Sequence, residues 1–258
     1  MTLRASPIDA VARLSGECGL GAIEWGADVH VRPGDLQASA RARSATAAAD
    51  CVVGSYGSYL FSAGPPVPGE TQRLLDTAVA LGAPNVRAWT TFGVEAGSSA
   101  HAAMVDGLRT FCVEAGTRGL TVGLEYHGGT ATATVAGTLD VMEAVDRPEL
   151  FTYWQPPYWR GLTVPESDAA EIRGLGARLS HLHVYEWANA QDRRPLVEGA
   201  DRWRAALDAA ATVDGAWSGD RVAFLEFVAG DDPDALRRDA AVLRGWLDDA
   251  YETPAFVE

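Results

Sequence analysis

The run LTVGLEYH, Leu120 to His127, decides how this chain is read. It is an apolar stretch of strand length that ends in a glutamate, and three later runs share its form. LFTYWQP ends at Gln155, LSHLHVYEW carries His183, and VAFLEFV carries Glu226. Helix-like stretches separate the runs, so they read as successive parallel strands. In a parallel barrel the C-terminal strand ends converge on one face, and chemistry is built there. Two carboxylates, an imidazole and an amide oxygen at one barrel mouth make a donor set for a hard divalent cation.

Outward from this core the alternation continues. Earlier strand candidates are Met1–Arg4, Ala22–Trp25, Cys51–Phe61 and Asn85–Thr90; the later ones are Leu120–His127, Leu150–Gln155, Leu179–Glu186 and Val222–Val228. Ser6–Pro7 and Asp232–Pro233 offer N-caps followed by an N1 proline, and Leu236, Ala240, Leu243 and Leu247 recur at helical spacing. Eight strands alternating with eight helices in 258 residues predict a single (β/α)8 TIM barrel over residues 1–258. Its first strand is very short, either a stub or the tail of a strand that begins upstream. An open doubly wound sheet would ask for a glycine-rich phosphate loop, and neither G-x-G-x-x-G nor a Walker A sequence occurs. SAGPPVPGE, Ser62 to Glu70, reads as an ordered rim loop on the active side.

Composition narrows the function. The formal net charge is −14, and no basic stripe is present; Arg193 and Arg194 alone are too few. Nucleic acids and anionic membranes are therefore poor partners. Cys18, Cys51 and Cys112 are odd in number and widely spaced, as expected of reduced thiols. MTLRASPIDAV lacks a signal-peptide apolar region, and no run approaches the ~20 apolar residues of a membrane helix, so a cytoplasmic protein is expected.

Strand periodicity puts Thr121, Gly123, Glu125 and His127 on one face, His181, His183 and Tyr185 on another, and Phe224, Glu226 and Val228 on a third. An inward glutamate is costly unless it is paired or binds a cation. The bland alternative is that each carboxylate meets an arginine such as Arg87. Glu24, His30, Arg87, His127, Trp154 and Tyr185 stand near strand ends, within reach of a substrate. Each also has a structural reading: an ion pair for Glu24 and Arg87, loop capping for the histidines, core packing for the aromatics. His101 and His181 are expected to be structural.

The segments IEWGADVHV, NVRAWT, LEYH, YWQPP, HLHVYEW and LEFVAGDDP resemble the xylose-isomerase-like TIM-barrel proteins, also called sugar phosphate isomerases/epimerases. The resemblance runs over nearly the whole chain in order. It implies one divalent metal ion (Mn, Mg, Co or Zn) held by Glu125, His183 and Glu226, with Gln155 where the family carries an aspartate. That departure removes one negative charge from the ligand set, which weakens binding and raises Lewis acidity; it also leaves open a disabled site. The resemblance further implies an isomerase or epimerase of a sugar or keto-sugar, with Glu125 and Glu226 as the acid/base pair of an enediolate mechanism. Arg193 or Arg194 would bind substrate hydroxyls, and a homo-oligomer is expected, since relatives are often dimers or tetramers. Two alternatives stand beside this: a lyase or dehydratase acting on an oxidised sugar or inosose, and a metal-free barrel that binds a ligand. An apurinic endonuclease is excluded by only five histidines and the acidic charge. No glycine-rich nest with a basic residue follows the last two strands, so phosphate recognition is not expected.

Overall fold

A computed structural model of the chain describes residues 2–161, 164–189, 192–214 and 219–252. Seven parallel strands are hydrogen-bonded in the order β1 (Ala22–Gly26), β2 (Val52–Gly57), β3 (Asn85–Ala88), β4 (Thr121–Leu124), β5 (Leu150–Trp154), β6 (Leu179–Val184) and β9 (Ala223–Leu225). Eight helices accompany them: α1 (Ile8–Glu17), α2 (Leu36–Ala48), α3 (Glu70–Leu81), α4 (Ser99–Gly116), α5 (Val135–Val145), α6 (Pro165–Leu175), α7 (Ala200–Ala211) and α8 (Pro233–Glu252). This is a nearly closed TIM barrel. Local sequence sets the helix ends. Asp35, Ser98 and Thr134 accept the N–H three residues on to cap α2, α4 and α5, and Gly82, at φ 80°, ends α3 in the left-handed region.

The barrel interior is packed. Tyr153 projects inward from β5, its hydroxyl bonded to Ser55 at 2.6 Å and to Asn85 at 2.7 Å. Gly123 on β4 makes room, since a Cβ there would lie 2.4 Å from the Tyr153 ring. His181 and Phe224 complete this layer, with ring centroids 4.9 and 6.4 Å from Tyr153. Outside the strands, Tyr126, Trp154, Leu182 and Val184 pack against Trp203 and Leu207 of α7.

The expected first strand does not form. Met1 lies outside the described residues; of the rest, Leu3 has φ 57°, which breaks an extended run, and Arg4 is in a turn. Thr2 and Leu3 instead bond to the β9 side: Val228 N–H donates to Thr2 Oγ1 at 3.2 Å, and Leu3 N–H to Asp231 Oδ1 at 3.4 Å. A cavity of about 110 Å³ separates β1 from β9, lined by Ile23, Trp25, Phe224 and Leu225. A second departure is the antiparallel hairpin of β7 (Glu186–Asn189) and β8 (Asp192–Arg194), which stands beyond β6 where the sequence reads as a strand end and loop.

All three cysteines are buried free thiols. Among the described residues no helix is long and apolar enough to cross a membrane.

Candidate active site

The strands are shorter than the apolar runs, and this places the predicted residues. Glu125, Gln155 and Glu226 each follow the last residue of β4, β5 and β9, while His183 is the penultimate residue of β6. The ladder still fixes them: Glu125 N–H donates to Ala88 O at 2.9 Å and Glu226 N–H to Val184 O at 2.8 Å. Glu125, Gln155 and His183 are buried at 6%, 2% and 2% exposure, so they form the floor of the mouth rather than its rim.

Arg87 organises this floor. Its Nε donates to Glu24 Oε1 at 2.9 Å and its Nη1 to Glu125 Oε2. Gly57 permits the approach, because a Cβ there would lie 2.6 Å from both Arg87 Nη2 and Glu24 Oε1. His183 stands between two carboxylates, with Nε2 3.5 Å from Glu24 and Nδ1 3.4 Å from Glu226. Arg87 is thus an orienting group with its fork committed to the two glutamates.

Protonation follows from burial and these neighbours. Burial pushes Glu125 above the usual carboxylate range, and Glu226 adds to it against the pull of Arg87 and His183. For Glu24 burial acts upward too, but Arg87 and His183 outweigh it and hold the carboxyl low. Glu226 is also held low, because positive charge around it, including His183 and Arg87, exceeds the burial effect. His183 is raised: burial disfavours its charge, and Glu226 and Glu24 more than compensate.

The remaining predicted residues divide. His127 is at the mouth, with Nδ1 2.8 Å from Gly128 O, Nε2 3.1 Å from Tyr158 Oη, and the Trp89 ring 4.4 Å away. Tyr185 is buried there, its hydroxyl donating to Pro156 O at 3.2 Å. His30 caps a loop, its Nε2 3.0 Å from Ser6 O. Arg193 lies over the Phe227 ring at 5.1 Å and pairs with Asp231 at 3.3 Å. Two residues expected to bind substrate do not face it. Trp154 points outward, because its neighbours Tyr153 and Gln155 take the inward positions; its Nε1 donates to Glu171 at 3.0 Å and its ring meets Trp203. Arg194 is exposed and pairs with Asp192 and Glu198. Tyr158, Phe92 and Phe227, not among the expected site residues, join the wall of the mouth through His127, Tyr185 and Trp187. Their only signal is aromatic character in turns that follow strands.

The arrangement is that of a buried, charged floor at the C-terminal end of a parallel barrel, the place where this fold carries catalysis. The chain belongs to the xylose isomerase-like TIM barrel family, whose model matches residues 12–244. Solved structures share the fold at low identity. L-ribulose 3-epimerase superposes with TM-score 0.74 at 14% identity, over 97% of this chain and 94% of that one. The IOLI protein with a bound zinc atom gives 0.74 at 15%, over 98% and 97%. The probable 3-DHS dehydratase AsbF from Bacillus anthracis gives 0.72 at 18%, over 91% and 92%. No curated protein matches the sequence.

The zinc in one of these structures makes a divalent ion the family expectation, and the donor set here fits one. Carboxylate, amide and imidazole donors, the types that suit such an ion, stand at the ends of neighbouring strands. His183 Nδ1 and Glu24 Oε2 are buried and make no hydrogen bond among the described residues. The set is not closed, however. Glu125 is taken by Arg87, and among the described residues no three His, Cys, Asp or Glu side chains stand together as a metal-holding group.

Proposed function

We propose that the chain is a metal-dependent isomerase or epimerase of a sugar or keto-sugar, working through an enediolate. The reading rests on Glu125 and Glu226, two carboxylates at the mouth that lie in each other's field with the His183 imidazole beside them, its Nδ1 3.4 Å from Glu226. One removes a proton from the carbon beside a carbonyl and the other returns one. Arg87 fixes the orientation of Glu125, and Glu24 holds Arg87 in turn, so this member of the acid/base pair is pre-oriented. Glu125, Gln155, His183 and Glu226 would hold the divalent ion, which supplies positive charge to the substrate's carbonyl and hydroxyl oxygens. The aromatic wall over this floor limits the access of water to the reacting carbon.

The test is exchange of the substrate α-proton with solvent deuterium, followed by NMR, for a panel of ketoses and keto-glycosides in the presence of Mn²⁺. Exchange accompanied by an epimer or isomer is the expected result. Exchange accompanied by loss of a β-substituent makes the protein a lyase using the same base. Absence of exchange with every substrate removes both readings. The contact between Arg87 and Glu125 favours the third reading, a metal-free ligand-binding barrel, and elemental analysis of protein purified without chelator separates it: about one divalent ion per chain excludes it.

A further inference from the structure

Beside the charged floor lies a cleft of about 340 Å³ whose walls are Pro157, Tyr158 and Trp159 from the loop after β5, and Tyr185 and Trp187 from the end of β6 and the start of the hairpin. Tyr158 links the cleft to the wall of the mouth. Its ring centroid lies 6.0 Å from that of His127, and its hydroxyl is 3.1 Å from His127 Nε2. The same ring lies 4.7 Å from Trp187. Tyr185 touches Trp187 at 4.9 Å and, like Tyr158, lies in the fields of Glu125 and Glu226. Trp187 Nε1 is buried with no hydrogen-bond partner among the described residues. A buried donor left without a partner is costly, and a ligand oxygen at the border of cleft and floor would satisfy it.

The cleft has one charged residue, Arg202, and its guanidinium is already engaged, 3.0 Å from Asp168 and 3.6 Å from Glu186. A second sugar ring would need polar partners for several hydroxyls, whereas these walls offer mainly ring faces and proline, with Asn189 as the one side-chain amide in the lining. Flat apolar groups are what such walls hold best, through offset or edge-to-face contact. A volume of 340 Å³ accommodates a benzenoid ring with room to spare.

We infer that the substrate is a glycoside with a planar aromatic substituent: the sugar lies over Glu125, His183 and Glu226, and the aromatic ring enters the cleft between Tyr158, Trp159 and Trp187. This rests on the sugar reading of the floor and adds the class of molecule that carries the sugar. Tyr158 and Trp187 then determine specificity, and neither takes part in proton transfer.

The test is calorimetric titration of the Mn²⁺-supplied protein with phenyl, methyl and methyl-disaccharide glucosides. The phenyl glucoside should bind at least about tenfold more tightly than the methyl one. Trp187→Ala, checked for fold by circular dichroism, should abolish that ratio. Saturation-transfer NMR on the wild type requires no variant: transfer should be strongest to the phenyl protons. Equal affinities, a disaccharide that binds more tightly than the phenyl glucoside, no binding of any of the three, or transfer confined to the sugar protons would each overturn the inference. Its fate is separable from that of the proposed reaction. Deuterium exchange in simple ketoses with no phenyl preference keeps the reaction and discards the cleft; a phenyl preference without exchange in any substrate does the reverse.

Discussion

The floor of the barrel mouth takes one charged group each from β1, β3, the end of β4, β6 and the end of β9, namely Glu24, Arg87, Glu125, His183 and Glu226. The wall takes rings from the segments that follow the barrel strands, among them Trp89, Phe92, His127, Tyr158 and Phe227, and Trp187 of the β7–β8 hairpin. The floor is fixed by ladder hydrogen bonds and by mutual charge, so each member depends on oppositely charged neighbours within the same small cluster. In the wall every ring touches several others. Loss of a floor residue therefore leaves a buried charge without compensation, whereas loss of a wall ring leaves neighbours that still exclude water. The two regions should answer mutation on different scales.

The largest effect is expected at Glu226. Glu226→Gln keeps the shape and removes the proton acceptor, so the rate of α-proton exchange should fall by about 10²–10⁴-fold. Bound metal per chain should fall with it. A variant that retains wild-type exchange would take Glu226 out of the acid/base pair. Next comes Arg87→Met, which leaves Glu24 and Glu125 facing each other without their shared cation. Breaking a buried ion pair by removing one partner costs about 3–5 kcal/mol, readable as a lower urea midpoint. Glu125, already pushed up by burial and now without Arg87, should then take up a proton, so the variant should regain part of its deficit as the pH falls. A loss below about 1 kcal/mol would mean that the three groups are not coupled as the distances imply.

How much of this contrast the sequence revealed follows from how each surface is built. The floor is legible because a strand has a strict period of two and because parallel strands end on one face; Glu125, His183 and Glu226 could be placed from those facts alone. Whether Arg87 pairs with a glutamate is a three-dimensional fact, since β3 and β4 are neighbours only once the barrel closes. The wall is less legible because most of its rings sit in turns and loops, where no period applies; Phe227 even adopts φ 50°. Trp154 shows the limit of reading aromatics by position, because a shift of one residue relative to Gln155 sends its ring to the helix layer. The β7–β8 hairpin extends past what reads as a strand end at Glu186, and the seam between β1 and β9 depends on the backbone angle at Leu3.

Between floor and wall in expected size is His181, one layer below His183. Burial holds its imidazole down to about 3, and its Nδ1 accepts a hydrogen bond from Val222 N–H at 3.1 Å. In the native state the ring stays neutral, while the unfolded chain takes up a proton below about pH 6.5. Between about pH 3 and 6.5 the unfolded state therefore binds more protons, and stability must fall as the pH falls through that window. The contribution is zero above about pH 6.5 and reaches ~2 kcal/mol of destabilisation at pH 5. His181→Gln keeps an acceptor for Val222 and cannot titrate. Its urea midpoint should change less between pH 7 and pH 5 than that of the wild type. Equal slopes would show that His181 is protonated in the folded state.

The smallest effect belongs to the wall. Tyr158→Phe removes only the hydroxyl that meets His127 Nε2 at 3.1 Å and keeps the ring against Trp187. Tyr158 is half-buried, so water can replace the lost partner, and the stability cost should stay below about 1 kcal/mol. The His127 ring is also held by Gly128 O and packed between Trp89 and Trp159, so its position should persist while one nitrogen loses its neighbour. Nitrogen-15 NMR of the His127 side chain should record that change at Nε2, with Nδ1 unmoved. A midpoint shift as large as that of Arg87→Met would mean that the wall is not redundant and that Tyr158 holds the floor in place. The contrast between the two regions would then fail at the residue that joins them.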